Sequence, residues 1–118
     1  MKAYISGKIS GLTWGQVCIK FLRAEIMLRD LGYEVVNPIR LNTPDVPWGE
    51  CLQKDLQALA GCDIIVMLKD WKDSRGARIE LDSAIFFKLE IKHILHINVK
   101  WLRLKDHIRK DQPAAPSQ

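Results

Sequence analysis

Apolar residues along the chain fall into two alternating kinds of segment: short, near-continuous runs, and longer stretches with helical spacing. The runs Lys2–Ser6, Tyr33–Val36 and Cys62–Leu68 have strand length, and Gly7 and Asn37-Pro38 close the first two. Within the third, Ile64-Ile65-Val66-Met67-Leu68 is apolar without a break, the pattern of a central strand covered on both faces of a parallel sheet. Between the runs, Trp14, Val17, Cys18, Phe21 and Leu28 share one face of a helix predicted from about Trp14 to Leu31. Thr13 is its expected N-cap and Gly32 its C′ glycine. A second helix is predicted from Pro47 or Trp48 to Ala60, with proline suited to its first turn and Gly61 at its end. Residues 39–47, with Pro44, read as an irregular loop. The pattern then predicts a third helix over roughly 76–90 and a strand at about 92–98.

From Val99 the pattern weakens. Trp101, Leu104 and Ile108 have the spacing of a short amphipathic helix that could dock on the body or on a neighbouring subunit. Residues 112–118, with two prolines and two alanines, read as a disordered end. The chain thus divides into an α/β domain over 1–98 and a basic segment over 99–118. The order β-α-β-α-β-α-β, with connections too long for hairpins, predicts an open parallel sheet flanked by helices. The expected architecture is a flavodoxin- or Rossmann-like three-layer sandwich with strand order 2-1-3-4. Such sheets bind ligands at the carboxyl ends of their strands, where the order reverses. Here that places a site between the loops Lys8–Thr13 and Lys69–Arg75.

Composition narrows the function classes. A chain of 118 residues with 47% hydrophobic content fits one soluble domain. It holds no apolar run near the ~20 residues needed to span a bilayer. Gly and Ser interrupt the N-terminus before a signal-peptide core can form, so the expected location is cytoplasmic. The formal charge of +4 lies mostly at the C-terminal end. Residues 1–98 hold thirteen Lys/Arg against twelve Asp/Glu, whereas residues 99–118 hold five against two. A near-neutral body argues against a dedicated nucleic-acid binder. Cys18, Cys51 and Cys62 are odd in number and form no C-x-x-C pair, so they read as reduced, buried thiols. His93 and His96 fall in a predicted strand and would point to opposite faces, which disfavours a metal site there. No cofactor is implied.

Two carboxylates stand out because burying them on an apolar stripe is costly unless they are paired or have a purpose. Glu80 shares a helical face with Ala77, Ala84 and Phe87, and Asp55 is flanked by Cys51, Leu52, Ala58 and Leu59. Glu25 meets the same criterion on the first helix with no evident chemical role, so it reads as structural. Ser74-x-Gly76 at a helix start is either an anion cradle or an ordinary N-cap with a turn glycine. Gly7-Lys8-Ile9-Ser10-Gly11 matches neither a Walker loop nor G-x-G-x-x-G, and Lys8 would suit an anionic ligand. Among Trp14, Trp48 and Trp71, Trp71 is the best candidate for stacking on a ligand because of its place in the loop before Ser74.

Tyr4-Ile5-Ser6-Gly7-Lys8-Ile9-Ser10-Gly11, Asp55, Cys62-Asp63 and Ser74-x-Gly76-x-x-x-Glu80 together resemble the nucleoside 2-deoxyribosyltransferase-like superfamily. The likeness covers residues 2–97 and is closest to the deoxynucleoside 5′-monophosphate N-glycosidases. Val35-Val36-Asn37-Pro38 and Trp71-x-x-Ser74 resemble a small, poorly characterised phage and bacterial relative. The resemblance implies that Glu80 attacks the sugar C1′ and that Asp55 engages the sugar and assists proton traffic to the departing base. It further implies that Ser74 and Gly76 grip a 5′-phosphate, that Gly7, Lys8, Ser10 and Gly11 close the other side, and that Tyr4 is an aromatic residue at the site. The implied partners are a small nucleotide or nucleoside and a homodimer or higher homo-oligomer. Arg78 stands where these glycosidases often carry a small residue, and residues 39–47 have no clear counterpart to their base-binding segment. The expectation is therefore N-glycosidic cleavage or base transfer on a (deoxy)nucleotide. The alternative is a non-catalytic protein that binds a nucleotide or nucleotide-sugar in the same cleft.

Overall fold

A computed structural model describes residues 1–111. Four strands, β1 (Lys2–Ser6), β2 (Glu34–Val36), β3 (Ile64–Met67) and β4 (Glu90–His93), form one parallel sheet in the order β2-β1-β3-β4. The expected strand order is therefore the observed one. The register pairs Tyr4 with Ile65 and Ser6 with Met67, so β1 and β3 end side by side where the order reverses. Among the described residues four α-helices flank the sheet: α1 (Trp14–Asp30), α2 (Trp48–Ala60), α3 (Arg75–Phe86) and α4 (Ile94–Asp111). None of them is long and apolar enough to cross a membrane.

Period-two alternation along the strands divides the core. Ala3, Ile5, Ile64 and Val66 pack with Val17, Phe21, Ala24 and Leu28 of α1 and with Ile97 of α4. Tyr4, Ile65 and Met67 point the other way, against Leu59 of α2 and Ala77 and Ala84 of α3. Ser6 shares the strand face of Tyr4 and is fully buried at the carboxyl end of β1. The helix α1 begins with a complete capping box: Thr13 accepts from the Gln16 N–H, and the Gln16 side chain accepts from the Thr13 N–H. It ends where expected, with Gly32 at φ 92° and the Tyr33 N–H donating back to Leu28.

Several expectations need correction. The third helix stops at Phe86 rather than near residue 90. Its terminator is Lys88, held at φ 63°, with the Lys88 and Leu89 N–H groups donating to Ile85 and Ala84. That is a Schellman stop built on a lysine, so no glycine marks it in the sequence. The fourth strand is Glu90–His93, and residues 94–98, expected as strand, open α4 instead. Ile94 and Ile97 continue the helical spacing of Trp101 and Leu104, and Ile97 is buried against the α1 side of the core. A short apolar run of this kind fits both periods, and packing on α1 decides for the helix. The expected boundary at 98/99 consequently falls inside one helix, tied to α1 by the Trp101 indole N–H donating to Asp30. Residues 112–118 lie outside the described residues.

The cysteines are all free, but only Cys62 is buried; Cys18 and Cys51 are half-buried. The buried face of α1 is Val17, Phe21, Ala24, Glu25 and Leu28, with Trp14 38% exposed at its start. Glu25 is indeed a structural carboxylate. It accepts from Arg40 (2.9 and 2.8 Å) and from the Asn37 amide (3.2 Å), and these hydrogen bonds, led by Arg40, lower its pKa to about 2. Asn37 also donates to the Phe21 carbonyl, so this cluster anchors the segment leaving β2 onto α1.

Candidate functional site

The carboxyl ends of β1 and β3 open into a cleft of about 340 Å³. One wall is the loop after β1, with Gly7, Ile9, Ser10, Gly11 and Leu12, continued by Trp14 and Val17 of α1. The opposite wall is the start of α3, with Ser74, Gly76, Ala77 and Glu80. The segment after β2, from Pro38 to Val46, and the α2 residues Trp48, Cys51, Leu52 and Asp55 close the third side.

Glu80 is 5% exposed and lies one turn inside α3. Its Oε1 accepts from the Ser6 hydroxyl at 2.7 Å, and its Oε2 accepts from the Tyr4 hydroxyl. Both donors are fixed by β1, because residues two apart in a strand project from the same face. Burial pushes Glu80 up to about 7, against the pull of the two hydroxyls, and the Asp55 charge adds to the push. Tyr4 is held well above the usual phenol range, first by burial and then by Glu80, so it remains a donor. Asp55, on α2, is 7% exposed and is pushed up to about 6 by burial, while the Asn42 amide pulls it back. The cleft thus holds two carboxylates that change ionisation near neutral pH, one of them with both oxygens oriented by hydroxyl donors.

Ser74 caps α3 by accepting from the Ala77 N–H at 3.1 Å. This leaves the Arg75 and Gly76 N–H groups free of intrahelical partners at the helix start. Outside the wall, the Arg75 guanidinium lies 5.0 Å from the ring centroid of Trp48. The loops leaving β1 and β3 are joined by Asp70, which accepts from the Lys8 N–H at 3.0 Å and from the Lys20 ammonium.

Of the residues singled out from sequence, Glu80, Asp55, Ser74, Gly76, Gly7, Ser10 and Gly11 line this cleft. Tyr4 lies beneath it, reaching it only through Glu80. Lys8 and Trp71 do not line it. The Lys8 backbone is taken up by Asp70 and Lys20, and Trp71 packs beside His93 with ring centroids 6.5 Å apart. His93 ends β4 and His96 belongs to α4, so the expected strand geometry for that pair does not apply. Sequence reasoning missed Ser6 as a partner of Glu80, although strand alternation with Tyr4 carried that signal. It also missed Asn42 and the rest of the 38–46 wall, whose irregular backbone has no periodic signature.

Gly7 and Gly76 bear differently on the cleft. A Cβ on Gly7 would lie 2.7 Å from Leu68 Cδ1 and 2.8 Å from Leu68 Cβ, so β1 and β3 could not stay at their present spacing. A Cβ on Gly76 would meet Trp48 Nε1 at 3.7 Å, an ordinary contact. Gly7→Ala is expected to cost about 1–3 kcal/mol by overpacking, and Gly76→Ala less than about 0.5 kcal/mol. Urea unfolding of the two variants checks this. Equal stabilities would show that Gly7 is not held by its approach to Leu68.

A search among curated proteins finds no match to the chain. A family model described as "Domain of unknown function (DUF4406)" matches residues 1–93, which run from β1 to the last residue of β4 and include every residue lining the cleft. The chain belongs to that family.

Proposed function

We propose that the chain cleaves the N-glycosidic bond of a (deoxy)nucleoside 5′-monophosphate, or transfers its base, through a covalent glycosyl–Glu80 intermediate. The observation that carries this reading is the setting of Glu80. It is a buried carboxylate at the switch point of a parallel sheet, oriented by Tyr4 and Ser6, beside Asp55 in one cleft. The resemblance of Tyr4–Gly11 and Ser74–Glu80 to the deoxyribosyltransferase-like proteins supports the same roles.

In the first step a Glu80 oxygen bonds to the sugar C1′ as the C1′–N bond breaks. The departing base takes the bonding pair and a proton, with Asp55 assisting that transfer. In the second step water attacks C1′, the ester bond breaks, and Glu80 returns to carboxylate while a proton leaves. A second base in place of water makes the reaction a transfer. Tyr4 and Ser6 aim the nucleophile. Their hydrogen bonds favour its ionised form, which burial opposes. Ser74 and the free N–H groups at the start of α3 suit the 5′-phosphate, because helix N-termini favour anions. The side chains Ile9, Leu12, Ile39 and Val46 offer apolar contact for a base, and Trp14 and Trp48 add planar rings.

Free base measured by chromatography across a panel of ribo- and deoxynucleoside monophosphates and nucleosides tests the proposal. Release from deoxynucleoside monophosphates is expected. No release at high protein concentration would defeat it, and melting shifts without turnover would assign the cleft to binding alone.

A further inference from the structure

We propose that Asn42 is the positioning residue of Asp55: its amide fixes one carboxylate oxygen and leaves the other to face the ligand in the cleft. This deepens the functional reading above and rests on it for the role of Asp55. Asn42 Nδ2 donates to Asp55 Oδ1 at 2.8 Å and to the Pro38 carbonyl at 3.3 Å, so both amide protons are committed. Asp55 Oδ2 accepts no hydrogen bond among the described residues, yet it is not among their buried unpaired atoms, so it is open to the cleft that Asp55 lines.

The orientation of Asn42 is dictated rather than incidental. Its own Oδ1 is the one buried side-chain oxygen or nitrogen without a partner among the described residues. Leaving such an atom unpaired is costly in a folded protein. With Asp55 ionised, turning the amide over would satisfy nothing, because it would set Oδ1 against the Asp55 carboxylate and the Pro38 carbonyl. The fold therefore tolerates one orphaned acceptor in order to present the amide protons to Asp55. The segment carrying Asn42 is held in turn by Glu25, which binds both Asn37 and Arg40. The carboxylate that looked purposeless on α1 thus anchors the wall that orients Asp55.

Other titratable groups surround Asp55 and bear on any titration of it. Glu80 approaches from α3, Tyr4 from β1, and Cys51 sits one turn earlier on α2; each has its pKa raised first by burial and further by the Asp55 charge. Only Asn42 opposes the burial that pushes Asp55 up.

The test follows the Asp55 carboxyl carbon and the Asn42 side-chain amide by NMR against pH, in the wild type and in Asn42→Ala and Asn42→Ser. Loss of the donor is expected to raise the Asp55 midpoint by about one unit, a tenfold change in the ionisation equilibrium. The limb of the base-release profile that follows Asp55 should move by the same amount. In the wild type, the Asn42 amide signals should titrate with the midpoint of Asp55. An unchanged Asp55 midpoint in a folded variant overturns the proposal. So do wild-type amide signals that ignore Asp55, and that measurement decides the matter even if both variants unfold. If wild-type protein releases no base, the N-glycosidase reading fails, while the titrations still report on Asn42 and Asp55.

Discussion

Glu80→Ala is expected to abolish base release, lowering kcat/KM by at least about 10⁴-fold, the scale on which losing a covalent nucleophile acts. Nucleotide affinity, read by calorimetry, should change by less than about tenfold, because the phosphate and base contacts assigned to Ser74, Gly76 and the apolar wall remain. The fold should also remain, since Ala fits between Ala77 and Ala84 on the same buried face of α3. Tyr4→Phe provides a graded companion. It deletes one hydroxyl from Glu80 Oε2 but keeps the ring, which is fully buried between α2 and α3. A loss of about ten- to hundredfold is expected, the worth of one hydrogen bond to a charged group. Turnover by Glu80→Ala within tenfold of wild type would remove Glu80 from the nucleophile's place. Loss of binding together with turnover would point to a structural role for the carboxylate.

Much of this arrangement was legible because it follows from short-range periodicity. The apolar run Ile64–Met67 identifies the central strand, the crossover lengths fix a parallel sheet, and helical spacing places Glu80 on the face of Ala77 and Ala84. Once the sheet order is known, the reversal between β1 and β3 brings the Gly7–Gly11 loop and the Ser74–Glu80 turn to one cleft. The failures have a common physical origin. Where helix ends, strand ends or loops are set by tertiary contact, local sequence carries little of the answer. Lys88 stops α3 through backbone hydrogen bonds at a positive φ that sequence assigns by default to glycine. Residues 94–98 become helix because Ile97 finds the core beside α1. Asn42 reaches Asp55 from a segment that Glu25, seventeen residues before Asn42, holds through Asn37 and Arg40. Lys8 and Trp71 carry the chemistry of a ligand contact in sequence, but neither lines the cleft: Asp70 holds the Lys8 backbone N–H, and Trp71 packs beside His93. The two carboxylates with raised pKa values differ from Glu25 in that burial dominates and, among the described residues, no cationic side chain bonds to either of them.

Burial without a cationic partner sets the pH dependence of stability. Glu80 ionises at about 7 in the folded chain against an ordinary 4.5, so between those values the folded state keeps a proton that the unfolded state has released. Stability changes with pH in proportion to protons bound unfolded minus folded, so it falls as pH rises through this window and levels off above it. Asp55, raised from 3.8 to about 6, adds a fall of the same sign over its own range. Glu25, lowered from 4.5 to about 2, acts oppositely; its contribution is present above 4.5 and is lost as pH falls toward 2. Glu80→Gln keeps the shape of the side chain and removes its ionisation. Urea unfolding should therefore show wild type losing on the order of 3 kcal/mol between about pH 4.5 and about pH 8 from Glu80 alone, a loss absent from the variant. The variant should be the more stable protein at about pH 8 and close to wild type at about pH 5. It should also be inactive. A carboxylate that weakens the fold at neutral pH and is required for base release fits a group retained for its chemistry. Identical pH dependence in the two proteins would show that Glu80 ionises as freely as in the unfolded chain, and the upward shift ascribed to its burial would then have no basis.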